Sequence, residues 1–158
     1  MIKNNLTLGS SAAVAVFVAL GAAAADVPVS GAEIFASRCA VCHGPQAAGI
    51  PGSFPSLREQ IAAFGKSPEG RDYLVMVVTT GLMGDLKLAG VSYRGVMPAQ
   101  SMLSETEVAA VLSYLASDRG KDAAGAPLTA TDVTAARDRH VDRSAQATRA
   151  LRPAFPEQ

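Results

Sequence analysis

Cys39-Ala40-Val41-Cys42-His43 holds both cysteines of a 158-residue chain and one of its two histidines. Residues this scarce, set this close together, point to a shared task. Three familiar uses of such a cluster fit poorly. A thioredoxin-like Cys-x-x-Cys sits in a strand-to-helix turn of an α/β fold, and strand signals are almost absent here. Structural zinc takes four thiol or imidazole donors, so carboxylates or a second chain would have to complete the set. A plain disulfide gives no reason for the adjacent His43.

The pattern Cys-x-x-Cys-His reads instead as an attachment site for a c-type haem. Two intervening residues let the Cys39 and Cys42 sulfurs reach the two vinyl groups along one porphyrin edge and form thioethers. The next side chain points under the ring, where the His43 imidazole meets the iron. One haem per chain also suits the composition. Apolar residues make up 49% of the chain, but alanine inflates the figure, and three Tyr, five Phe and no Trp give little aromatic bulk. A small domain buries a modest fraction of its surface, and a large apolar cofactor helps complete its core.

Upstream, Met1–Asn5 carries one Lys, and Leu6–Ala25 is uncharged and rich in Ala, Val and Leu. Ala23-Ala24-Ala25 then offers small residues ahead of polar sequence starting at Asp26. This predicts a secretory signal over 1–25, cleaved after Ala25, and a periplasmic mature protein. The competing reading is an uncleaved membrane anchor; with cleavage no stable membrane insertion is expected. The formal charge is zero and no basic block occurs, which disfavours a nucleic-acid partner.

Downstream of the export segment, residues 26–122 have the size of one small, mostly helical domain. Ser30-Gly31-Ala32-Glu33 reads as a capping box opening a helix to about Ala40, which lifts Phe35 onto one face and delivers Cys39. Residues 44–57 hold three Gly and three Pro and predict an irregular loop. Ser67-Pro68-Glu69 starts a second helix carrying Tyr73, Leu74, Val77 and Val78, with Gly81 at its end. Leu86–Leu88 and Val91–Tyr93 predict a tiny hairpin across Ala89-Gly90. Ser104–Glu107 is another capping box, and Val108, Val111, Leu112 and Leu115 mark an amphipathic helix over about 105–118. After a small-residue linker, residues 123–158 predict a C-terminal extension, helical or partly disordered. Its helical stretch runs from Thr129 to about Leu151 with a thin stripe of Val133, Ala136, Val141 and Leu151.

An electron carrier needs a second axial ligand. The candidates are Met76, Met83, Met97, Met102 and His140. Met97 is best placed, because it lies between Gly95 and Pro98 in a non-helical stretch, and Pro98 restricts it away from helical geometry. Met76 reads as helix packing, Met83 as loop core, Met102 as a staple of the following helix, and His140 as a solvent-facing residue of the extension.

With these pieces in order, the chain resembles a class I, monohaem cytochrome c from about Ser30 to Arg119. The likeness rests on Cys39–Gly44, on Tyr93-Arg94-Gly95-Val96-Met97-Pro98, and on the last helix with Tyr114 and Leu115. It implies several helices around one covalent haem, with Phe35 and Tyr114 packed where the first and last helices cross. Pro55-Ser56-Leu57 is similar to the segment whose Pro carbonyl accepts a hydrogen bond from the proximal imidazole, with Pro45 and Pro51 as rivals. The implied activity is single-electron transfer with His43 and Met97 on the iron. The implied partners are redox proteins such as a periplasmic dehydrogenase or terminal oxidase, with this chain as their cytochrome subunit. The alternative is a haem enzyme, or a gas- or peroxide-reactive cytochrome with a labile sixth ligand. No catalytic acid–base pair or nucleophile stands out, so no catalytic residue is assigned.

Overall fold

The computed structural model describes residues 29–117 and 126–154. The predicted signal segment 1–25, and the boundary expected near residue 122, lie outside the described residues.

One continuous helical run opens the domain: α1 (Gly31–Ile34), a π-helical turn (Phe35–Cys39) and α2 (Ala40–His43). The Ser30 hydroxyl caps it by accepting from the Glu33 N–H at 3.3 Å. The π turn is marked by the Ala40 N–H donating to the Phe35 carbonyl, five residues back. Ser37 contributes locally, its hydroxyl donating to the Glu33 carbonyl at 2.8 Å. A one-residue insertion turns everything after it by about 100° relative to an unbroken α-helix. Phe35 can therefore stay buried in the core while the cysteines are re-aimed. The run ends at Gly44, whose φ of 74° belongs to the left-handed region.

The opening run packs across α5 (Glu105–Ala116), whose Ser104–Glu107 capping box forms as the sequence predicts. Its inward stripe of Val108, Val111, Leu112 and Leu115 is buried. The two helices approach through Gly31: a Cβ there would lie 2.2 Å from the Ala110 carbonyl oxygen and 2.8 Å from the Tyr114 Cβ. One turn along, Phe35 and Tyr114 meet with ring centroids 5.9 Å apart.

Between them lie α3 (Arg58–Phe64) and α4 (Pro68–Thr80). The first has no warning in the sequence, coming directly off the Gly/Pro-rich loop. Phe64 of α3 and Tyr73 of α4 stack edge to face at 5.3 Å. After Gly81 the chain forms a hairpin, β1 (Leu82–Leu88) and β2 (Val91–Met97), paired antiparallel from Leu82↔Met97 to Leu88↔Val91. It turns at Ala89-Gly90 as expected, but each strand has seven residues rather than three. Positive φ at both turn residues, 46° and 76°, is the two-residue turn that matches strand twist.

The extension departs from the single helix expected over Thr129–Leu151. It forms two helices, α6 (Ala130–Arg139) and α7 (Ala145–Ala150), broken at His140. Val133 and Ala136 are buried and Leu151 half-buried against the core, but Val141 falls in the break and is 85% exposed. Polar contacts secure α6. Arg139 donates to both oxygens of Asp72 at 2.8 and 2.6 Å, and His140 Nε2 meets the same carboxylate at 3.1 Å. Arg137 pairs with Glu105 at 2.6 Å. Among the described residues, no helix is long and apolar enough to cross a membrane.

Two outcomes test this packing. Gly31→Ala should force the crossing apart and cost about 1–3 kcal/mol, read as a lower urea midpoint with an unchanged slope. Asp72 should make the fold acid-sensitive. Its hydrogen bonds from Arg139, and then from His140, hold the carboxyl below the usual carboxylate range. That stabilisation is present above the unfolded carboxylate pKa and is lost as pH falls through the lower folded value. Asp72→Asn should lower the neutral-pH urea midpoint and flatten its decline in acid; equal acid slopes for the two proteins would contradict the account.

Candidate haem attachment site

Cys39 and Cys42 stand three residues apart on one helical run, so their side chains project from neighbouring positions on one face. Both are half-buried. Burial pushes the Cys39 thiol above its ordinary value. A redox-active Cys-x-x-Cys lowers its nucleophile's pKa at a helix N-terminus. Cys39 lies instead inside a continuous run, so this chemistry suits a thiol kept for a covalent bond better than a thiol–disulfide exchanger.

His43 closes the run and is only 7% exposed. Its Nδ1 lies 2.9 Å from the Pro55 carbonyl oxygen. A carbonyl only accepts, so Nδ1 carries the proton and donates it. In the neutral ring, Nε2 is then left with its lone pair, the form a metal requires. Burial lowers the imidazole pKa and outweighs the opposing effect of the Pro55 bond, which keeps the ring neutral. Of the three prolines considered for this role, Pro55 is the one that fills it.

The loop 44–57 is less irregular than its composition predicts. The Gly49 N–H donates to the His43 carbonyl at 2.8 Å, and the Leu57 N–H to the Ala47 carbonyl at 2.9 Å. Ile50 and Phe54 form an antiparallel bridge. Gly49, with φ of 68°, lies so close under the returning strand that a Cβ would sit 2.3 Å from the Phe54 carbonyl oxygen. Arg58 closes the loop from outside, donating through Nε to the Gln46 carbonyl at 2.8 Å and through its terminal nitrogen to Gln46 Oε1 at 3.0 Å. The bonds His43–Pro55 and Gln46–Arg58 thus each span twelve residues in the same loop. Sequence reasoning passed over Gly49 and Arg58; an Arg just beyond a Gly/Pro loop carries no local signature of its partner.

The candidates for the second axial ligand separate by position. Met76 is fully buried inside α4 at 0% exposure. Met102 is 83% exposed and does not staple α5. His140 is half-buried on Asp72 rather than facing solvent. Met83 lies in β1 rather than in a loop core, and adjacent strand residues point to opposite faces. Met83 therefore shares the outward face with its partner Val96, at 45% and 65% exposure. Met97 shares the other face with Leu82, which packs against the core. Met97 is half-buried and ends β2 just beside Gly81.

The residues present fit a c-type haem: two thiols on one helical face, a buried imidazole with a fixed tautomer, and a half-buried thioether on a separate ribbon. Residues 28–118 match the cytochrome c family. Cytochrome c-552 of Thermus thermophilus is 40% identical over 106 residues, covering 65% of this chain and 80% of that protein. A second cytochrome c-552, from a further strain of Thermus thermophilus, is also 40% identical over 106 residues, covering 65% of this chain and 71% of its own length. The chain accordingly belongs to the cytochrome c family, as a class I, monohaem electron carrier whose cofactor is a covalently attached c-type haem.

Proposed function

We propose that this cytochrome carries single electrons in the periplasm, with Cys39 and Cys42 as the thioether anchors and His43 and Met97 as the axial ligands. The bound group supplies an iron that accepts and returns one electron at a time. The protein's own residues hold that iron in one geometry. Cys39 and Cys42 fix the ring edge to the opening helix. His43 presents Nε2 because Pro55 holds its Nδ1–H. Met97 would offer its sulfur as the second protein donor to the iron, and a thioether there would raise the potential relative to a second nitrogen ligand.

The observation that carries this reading is the His43–Pro55 hydrogen bond, which sets both tautomer and ring orientation ahead of metal binding. The hairpin register supports Met97 over Met83, because only Met97 lies on the same face as a core-packed residue. Export is supported by the small-residue end of the segment at Ala25. Val41 in the motif helix, and Ile50 and Phe54 in the following loop, are exposed apolar side chains suited to brief docking. We assign the partner to a periplasmic dehydrogenase or terminal oxidase, with this chain as its cytochrome subunit.

The test is the protein produced in a periplasm with haem-attachment machinery. Its denatured mass should equal the chain from Asp26 plus one haem, and Cys39→Ala combined with Cys42→Ala should abolish the covalent adduct. The ferric protein should show the weak red-end band of sulfur-to-iron charge transfer. Met97→Ala should remove that band, lower the potential and admit carbon monoxide to the ferrous form. An unchanged band and potential in Met97→Ala would move the ligand role elsewhere.

A further inference from the structure

The extension makes a second set of contacts, with the ribbon that carries Met97. Helix α7 makes one contact at the end of α4, where the ribbon is rooted, and one on β1. At the root, Thr148 is fully buried, and its hydroxyl meets that of Thr80, the last residue of α4, at 2.5 Å. Three residues into the strand, Arg149 Nε donates to the Asp85 carbonyl at 3.0 Å. To get there the Arg149 side chain runs over Gly84, where a Cβ would stand 3.3 Å from its Cδ. Gly84 has φ of 109°, so the ribbon is shaped at the very residue the arginine crosses.

These contacts bear on Met97 through a short path. Thr80 is followed by Gly81, whose missing side chain leaves room for the Met97 carbonyl; a Cβ would lie 2.5 Å from it. Leu82, next along, is the register partner of Met97. Outside the ribbon, the Gln100 N–H donates to the Val78 carbonyl at 2.8 Å and ties the segment after Met97 back to α4. Elsewhere on the ribbon, Leu88 beside the turn is buried, the Ala89-Gly90 turn itself is exposed, and the mid-ribbon Asp85–Arg94 cross-strand ion pair is solvent-facing at 3.3 Å. A two-stranded ribbon of this kind is marginal alone and needs packing to hold its position. Helix α7 supplies that packing along β1, the strand opposite Met97.

We propose that α7 is a latch on the ligand-bearing hairpin. Thr148 and Arg149 are positioning residues that keep the ribbon seated on α4, and so keep the Met97 sulfur at the sixth position against competing ligands. The idea rests on the reading of Met97 as that ligand. The break at His140 contributes by letting the chain turn from α6, anchored on Asp72 of α4, into α7 on the hairpin.

Imidazole titrated into the full-length ferric haem protein reads the latch directly, because it binds only as the sixth ligand is displaced. Loosening one net hydrogen bond of the latch corresponds to about tenfold tighter imidazole binding, about 1.4 kcal/mol. Arg149→Ala and Thr148→Val should each show it, and Arg149→Lys, which keeps a donor, should restore most of the original affinity. In a Met97→Ala background, where no thioether remains to be displaced, Arg149→Ala should add nothing. An effect that persists in that background would overturn the latch in favour of a general structural role. Unchanged affinity in both latch variants, beside a large increase in Met97→Ala, would overturn the latch alone. No increase in Met97→Ala would overturn the ligand reading, and the latch with it.

Discussion

The hydrogen bond from His43 Nδ1 to the Pro55 carbonyl organises the site. It is one contact between a helix end and a loop, and it settles three matters together. It fixes which ring nitrogen carries the proton, which way the ring faces, and how far the loop 44–57 can move from the motif. A neutral imidazole with a free Nε2 lone pair results. Burial reinforces the choice by disfavouring the imidazolium. A loop in which the Pro55 carbonyl pointed elsewhere would leave a buried ring nitrogen unpartnered, a costly arrangement.

Around that bond the chain is arranged in shells. Gly49, Ala47 and Leu57 tie the loop to itself, and Arg58 ties its two ends from outside. The opening run is held in turn by its crossing with α5, where a glycine brings the backbones together and Phe35 meets Tyr114. The π turn between Gly31 and Cys39 reconciles two demands on one helix, since one face must reach α5 and another must present two sulfurs. An unbroken α-helix would fix the angle between those faces by its 3.6-residue repeat.

The extension is held to the domain at a few named points. Its apolar stripe is too thin to form an independent core, so polar contacts do much of the positioning. Helix α6 uses Asp72 and Glu105 on α4 and α5, and α7 then lies against β1. The same helix α4 therefore carries the extension along one side and the root of the Met97 ribbon at its end.

The motif Cys39–His43, the capping box at Ser104, the helix start at Thr129 and the Ala89-Gly90 turn were all legible in the sequence. Each is a local pattern whose physics closes within a few residues: thiol spacing, a hydroxyl and a carboxylate on one helix end, or a backbone that tolerates positive φ. What only the tertiary structure decided are pairings between distant residues. Helix α3 forms because Phe64 finds Tyr73, and the extension breaks at His140 because Asp72 receives both Arg139 and that imidazole. Gly95 and Pro98 already set Met97 ahead of Met83 in the sequence; what register adds is that the two methionines lie on opposite faces of the ribbon, which a shift of one residue would exchange. Such choices depend on which surfaces meet in space, and composition and spacing along the chain do not encode that on their own.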